Sequence, residues 1–117
     1  MSDQTPLSPV QIEQLIYRLQ SDLDRGVWVV KDAEEEMVEA KRHYDREVAQ
    51  ATLEAKGTVQ EKQARVELST QAAREEYEIA QLAFRHAERM HRTLRDRLSA
   101  AQSQSASVRQ SYSAAGR

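Results

Sequence analysis

The side chains with the most chemical potential lie between residues 85 and 97. Arg85, Arg89, Arg92 and Arg95 recur at helical spacing, with His86, His91 and Arg97 beside them. A strip of guanidinium groups along one helix is the arrangement that follows a run of phosphates. Glu88 and Asp96 interrupt it, and Phe84 is the one nearby ring on which a base would stack. The expected role is therefore a solvated charged face or a set of interhelical pairs, with weak nucleic-acid binding as the alternative. Within the strip, Glu88 and His91 match the Glu-x-x-His spacing with which helical bundles hold di-iron centres. Such centres need two copies and two further inward glutamates, and this chain has a single copy, so no metal and no cofactor are expected. The mirror image of the arginine strip is acidic: Asp32, Glu34, Glu35, Glu36 and Glu39. It reads as a solvated face that would suit a basic partner.

Nucleophilic catalysis has little to draw on. The chain has no cysteine, which removes disulfides, thiolate metal ligands and thiol nucleophiles together. It has no Gly-rich phosphate loop and no Ser-His-Asp grouping, so a non-enzymatic protein is expected. Seventeen basic and 19 acidic residues give a net charge of −2, and bulk charge favours neither nucleic acid nor an anionic membrane. No apolar run approaches the ~18 residues of a membrane span. The first residues carry neither a basic region nor an apolar one, so no signal peptide is expected and a cytoplasmic protein of a bacterial host is the default.

The elements that carry these residues are marked by their ends. Ser8, Pro9 and Gln11 form a helix start: an N-cap, a proline where its missing N–H costs nothing, and the third member of a capping box. Lys56-Gly57 followed by Thr58-Val59-Gln60-Glu61 is a glycine stop and then a second capping box. Between and beyond these signals there is no proline, so the chain reads as all-α, one long antiparallel two-helix hairpin turning at Gly57. Residues 1–7 are a flexible lead, helix 1 spans about 9–56, helix 2 spans about 59–108 within a hairpin of 8–110, and 111–117 are a disordered tail.

Apolar residues then recur every three or four positions. On helix 1 the stripe is Ile12, Ile16, Leu19, Leu23, Val27, Val30, Ala33, Met37, Ala40, Tyr44, Val48, Ala51 and Ala55. On helix 2 it is Ala64, Leu68, Ala72, Ile79, Ala83, Ala87, Met90, Leu94, Leu98 and Ala101, then Ser105 and Val108. In an antiparallel hairpin, facing residues have numbers adding to roughly 116, which sets Val48 against Leu68, Tyr44 against Ala72 and Met37 against Ile79. The same register sets Lys41 and Arg42 opposite Glu75 and Glu76, and Glu54 opposite Lys62. Gly26 is where a kink or break would fall, because glycine costs about 1 kcal/mol in a helix and valines follow it; a continuous helix 1 is the expectation, with a short first helix ending near Arg25 as the alternative. Trp28 and Val29 flank the stripe. Trp28 is the best single interface anchor, read either as a contact for a partner or as a contact inside a dimer or the fold. Two helices bury one stripe apiece, and alanine buries little, so self-association, a dimer forming a four-helix bundle, is expected.

Around the turn, Ala49-x-Ala51-x-x-x-Ala55-x-Gly57-Thr58-Val59-x-Glu61-Lys62-x-Ala64 resembles small alanine-rich helical-hairpin proteins of unassigned function from tailed phages and prophages of Gram-positive, especially actinobacterial, hosts. The resemblance covers roughly residues 8–112 and includes the segment Ser103 to Arg109. It implies an accessory protein that contacts an unidentified phage or host protein, in the setting of DNA recombination or replication. The alternative that it leaves open is a scaffold or chaperone of virion assembly. Two features depart from the family pattern: the lysine often found between the glycine and the threonine is missing, and Gly26-Val27-Trp28 is an addition. The family supplies no functional residues to carry over.

Overall fold

Two α-helices account for the described residues, 7–115, in a computed structural model: α1 from Pro9 to Glu54 and α2 from Val59 to Ala115. They pack against each other as a helical hairpin, and no strand occurs among the described residues. The expected lead falls largely outside them, as do the last two residues of the expected tail.

Both expected helix starts form, the first as a full capping box and the second through the N-cap bond alone. The Ser8 amide donates to Gln11 Oε1 at 2.9 Å and the Gln11 amide donates to Ser8 Oγ at 3.2 Å. At α2 the Glu61 amide donates to Thr58 Oγ1 at 3.2 Å. Each bond satisfies an amide that has no partner within its own helix. Between the helices Gly57 sits at φ +117°, where an L side chain is strained, and a Cβ there would also collide with the Glu61 carboxylate.

α1 runs through Gly26 without interruption, as expected, and the alternative of a short first helix ending near Arg25 falls away. One expectation at the helix level is corrected: the serine-rich end stays helical past residue 110, since α2 continues to Ala115. Serine side chains that bond back to carbonyls one turn earlier, such as Ser111 Oγ to Ser107 O at 3.2 Å, keep those hydroxyls satisfied without leaving the helix.

The hairpin divides into two compact units, one made of Met1–Trp28 with Arg89–Arg117 and one made of Val29–Glu88. In the first, α1 turns Ile12, Ile16, Leu19, Leu23 and Gly26 inward, and α2 turns His91, Leu94, Leu98, Ala101 and Ser105 inward. In the second the inward residues are Val30, Ala33, Met37, Ala40, Tyr44, Glu47 and Ala51 on α1, and Val66, Thr70, Ala73, Tyr77, Ala80, Phe84 and Ala87 on α2. All of these are buried or half-buried, and their steps alternate between four and three. That is the 3.5-residue period of a coiled-coil seam.

The expected register is right to within one residue. Gly26 lies against His91, where a register of roughly 116 would have set it against the neighbouring Met90. One residue along a helix is about 100° of rotation. The slip therefore leaves the α1 stripe intact except at Val27, and turns out most of the expected stripe in the first half of α2. Ala64, Leu68, Ala72, Ile79, Ala83 and Met90 are exposed, with Leu68 at 74% and Ile79 at 67%. Their places are taken by Val66, Thr70, Ala73, Tyr77, Ala80 and Phe84. Two aromatic rings decide this choice, because each buries more area than an aliphatic side chain. Tyr77 also stacks on Tyr44, ring centroids 6.2 Å apart, and accepts a hydrogen bond at its hydroxyl from Gln81 Nε2 at 2.9 Å. The buried Thr70 hydroxyl is satisfied by Val66 O at 2.7 Å.

Candidate interaction surface

Gly26 explains why Val27, Trp28 and Val29 point outward. A seam needs one inward residue at position 26, and a Cβ there would lie 2.9 Å from His91 Nδ1. Glycine makes room for the imidazole, so the residue that looked like a helix breaker is a socket. With position 26 turned inward, the three residues after it rotate out. Val27 is exposed, Trp28 is 62% exposed and Val29 58%. His91 fills the socket with its Nδ1 buried and without a hydrogen-bond partner. Sequence reasoning took His91 as a member of the basic strip and missed this role. The signal was available: Gly26 and His91 both continue the four-three alternation of their helices.

Arg85, Arg89, Arg92 and Arg95 are all exposed, as is Arg97. None of them belongs to an ion pair among the described residues. The ion pairs there run along single helices: Arg25 with Asp22, Lys31 with Glu35, Lys41 with Asp45, Arg42 with Glu39 and Arg74 with Glu78. The expected pairs between helices are therefore corrected. Lys41 Nζ bonds Asp45 at 2.8 Å, Arg42 bonds Glu39 at 2.9 Å, and Glu54 accepts from Gln50 at 3.2 Å. Partners three or four positions away on a helix are always within reach, whereas a partner on the other helix depends on which face it presents. The bond from Lys41 to Asp45 holds the ammonium above its usual range, first through the hydrogen bond and then through the carboxylate charge.

The acidic residues Asp32, Glu34, Glu35, Glu36 and Glu39 are exposed, and Asp32, Glu35, Glu36 and Glu39 line one open groove. Among the described residues no group of three His, Cys, Asp or Glu side chains is placed to hold a metal ion. Glu88, the partner of His91 in the Glu-x-x-His spacing, points to solvent while His91 points into the seam. No helix of the described residues is long and apolar enough to cross a membrane.

Sequence reasoning also missed the outer face of α2. Leu68, Ala72, Ile79, Leu82 and Ala83 are exposed on the unit Val29–Glu88. The signal was an 11-residue repeat, Leu68 to Ile79 and Ala72 to Ala83, which keeps residues in line along a nearly straight helix. Leu68, Ala72, Ile79 and Ala83 were read as the inner stripe because both faces of this segment are apolar, and periodicity alone does not choose between two faces. No family model, no curated protein and no solved structure matches this sequence.

Proposed function

We propose that this chain is a non-enzymatic helical adaptor that acts by protein–protein contact. The observation that carries this reading is the placement of large apolar side chains. Within Val29–Glu88 the seam is lined by Ala33, Ala40, Ala51, Ala73, Ala80 and Ala87, while Leu68, Ile79 and Leu82 face solvent. Outward aliphatics add little to a hairpin on its own. They gain about 1.5–3 kcal/mol each only when another surface buries them. Trp28 and Val29 are the matching exposed residues on α1, and tryptophan is the side chain that most often dominates a protein contact. The phage setting, and a link to DNA recombination or replication, rest on the sequence resemblance alone.

The test is a native pull-down of the tagged full chain from phage-infected or prophage-bearing cells, beside Trp28→Ala and Val29→Asp. The expected result is one stoichiometric partner that both substitutions weaken while helicity by circular dichroism stays unchanged. Recovery of virion components, or ordered high-mass assembly of the chain itself, would replace this reading with a structural role in virion assembly.

A further inference from the structure

We propose that a second copy of this chain packs antiparallel on the outer face of α2, with Ile79 of each copy seated on Leu82 of the other. This rests on the protein-contact reading and names one partner for it.

Three observations converge. The first is the shape of the patch. Positions 68, 72, 75, 79, 82 and 86 fall within an arc of about 80° on an α-helix. Their steps alternate four and three, as in the inner seam. Leu68, Ala72, Ile79 and Leu82 are exposed there, so α2 carries a second seam that the hairpin does not use.

The second is charge. Glu75 and His86 complete the seam, and Glu78 and Arg85 flank it on one side; all four are exposed. A two-fold axis between residues 80 and 81 sets Ile79 on Leu82 and Glu75 opposite His86, and brings Glu78 and Arg85 together as flanking residues on the same side of the seam, two residues past the directly facing position; each pairing occurs twice. Other arrangements of the same two helices lose this match. Parallel pairing sets Glu75 against Glu75. Sliding the antiparallel pair by one heptad sets Glu75 against Ile79 and Glu78 against Glu78. Within the chain Arg85 has no ion pair among the described residues. Glu78 reaches Arg74 only at 3.8 Å between exposed side chains, which is a weak competitor.

The third is area. The chain exposes 9346 Å², against about 6,500 Å² for a compact monomer of 13.4 kDa. The surplus of roughly 2,800 Å² per chain exceeds the ~1,200–2,000 Å² that a stable interface removes from both partners together.

The test is sedimentation equilibrium on the full chain with charge reversal at the predicted pair. The wild type is expected to be a dimer. Glu78→Arg and Arg85→Glu should each weaken dimerisation roughly tenfold, because each sets two like-charge contacts across the axis. The double variant should return to near wild-type affinity. Ile79→Glu should give a monomer, with circular dichroism reporting whether the hairpin still folds. A wild type that is monomeric at every concentration measured overturns the proposal. So does a double variant that dimerises no better than the singles. A monomer that still retains a different protein in a manner sensitive to Trp28→Ala overturns self-pairing and leaves the adaptor reading standing.

Discussion

The two units of the hairpin fill their seams with different side chains. In the unit of Met1–Trp28 and Arg89–Arg117, Ile12, Ile16, Leu19, Leu23, Leu94 and Leu98 all turn inward, and Ile12 is the most completely buried large side chain, at 1% exposed. In the unit Val29–Glu88 six of the fourteen seam residues are alanine and three are aromatic, and Leu53, Leu68, Ile79 and Leu82 stay outside. Both use the same heptad spacing, so the period alone does not say how much stability a stretch of coiled coil supplies. What differs is how much volume the seam residues carry. The first unit fills its seam largely with leucine and isoleucine and the second largely with alanine and rings, while both leave large apolar side chains exposed, Tyr17, Val27 and Trp28 in the first and Leu68, Ile79 and Leu82 in the second.

The sharpest way to break this comparison is to remove the same atoms from each unit. Leu19→Ala should destabilise the chain by about 2–4 kcal/mol, through lost burial and the cavity left behind. Leu53→Ala, at a site 88% exposed, should change stability by about 0.5 kcal/mol or less. Urea unfolding followed by circular dichroism gives both numbers. Equal costs would mean that the two units do not differ in the way described.

The next effect sharpens the account of the Gly26 socket. In a helix with open space, Gly26→Ala would stabilise by about 1 kcal/mol. Here the new Cβ meets the His91 ring, and overpacking of this kind costs about 1–3 kcal/mol. The expected net result is a loss of about 1 kcal/mol in the wild type and a gain of similar size in a His91→Ala background. A double-mutant cycle measures that reversal of sign. A stabilising Gly26→Ala in both backgrounds would remove the socket.

The smallest effect concerns the start of α1. Ser8→Ala removes the acceptor for the Gln11 amide and should cost about 1 kcal/mol. Because the cap is local, hydrogen exchange should show its loss first in the amides of the first turn. A loss of protection spread evenly along α1 would instead mean that the cap governs the whole helix.

Much of the fold was legible in the residues because the signals for it are local. Ser8 with Gln11 and Thr58 with Glu61 mark helix starts through hydrogen bonds that span three residues. Gly57 marks the turn through a backbone angle that other residues resist. Antiparallel pairing then follows from chain connectivity, and the register was readable to within one residue. That one residue was decisive for the candidate surface. Leu68 and Ile79 looked like core and are exterior, Val27 looked like seam and points out, and Gly26 looked like a weak point of the helix and is a seam position.

The sequence by itself determined two helices, their starts, the turn and the period of their packing, since each follows from bonds and angles among near neighbours. The tertiary structure alone decided which face of α2 is the inside. Both faces between Val59 and Glu88 are apolar, and only the stacking of Tyr77 on Tyr44, with Phe84 one heptad further along the same face, outweighs Leu68 and Ile79. It likewise decided that the charges pair along each helix rather than across, because reach between helices depends on rotation, and rotation is set by the packing of the whole seam.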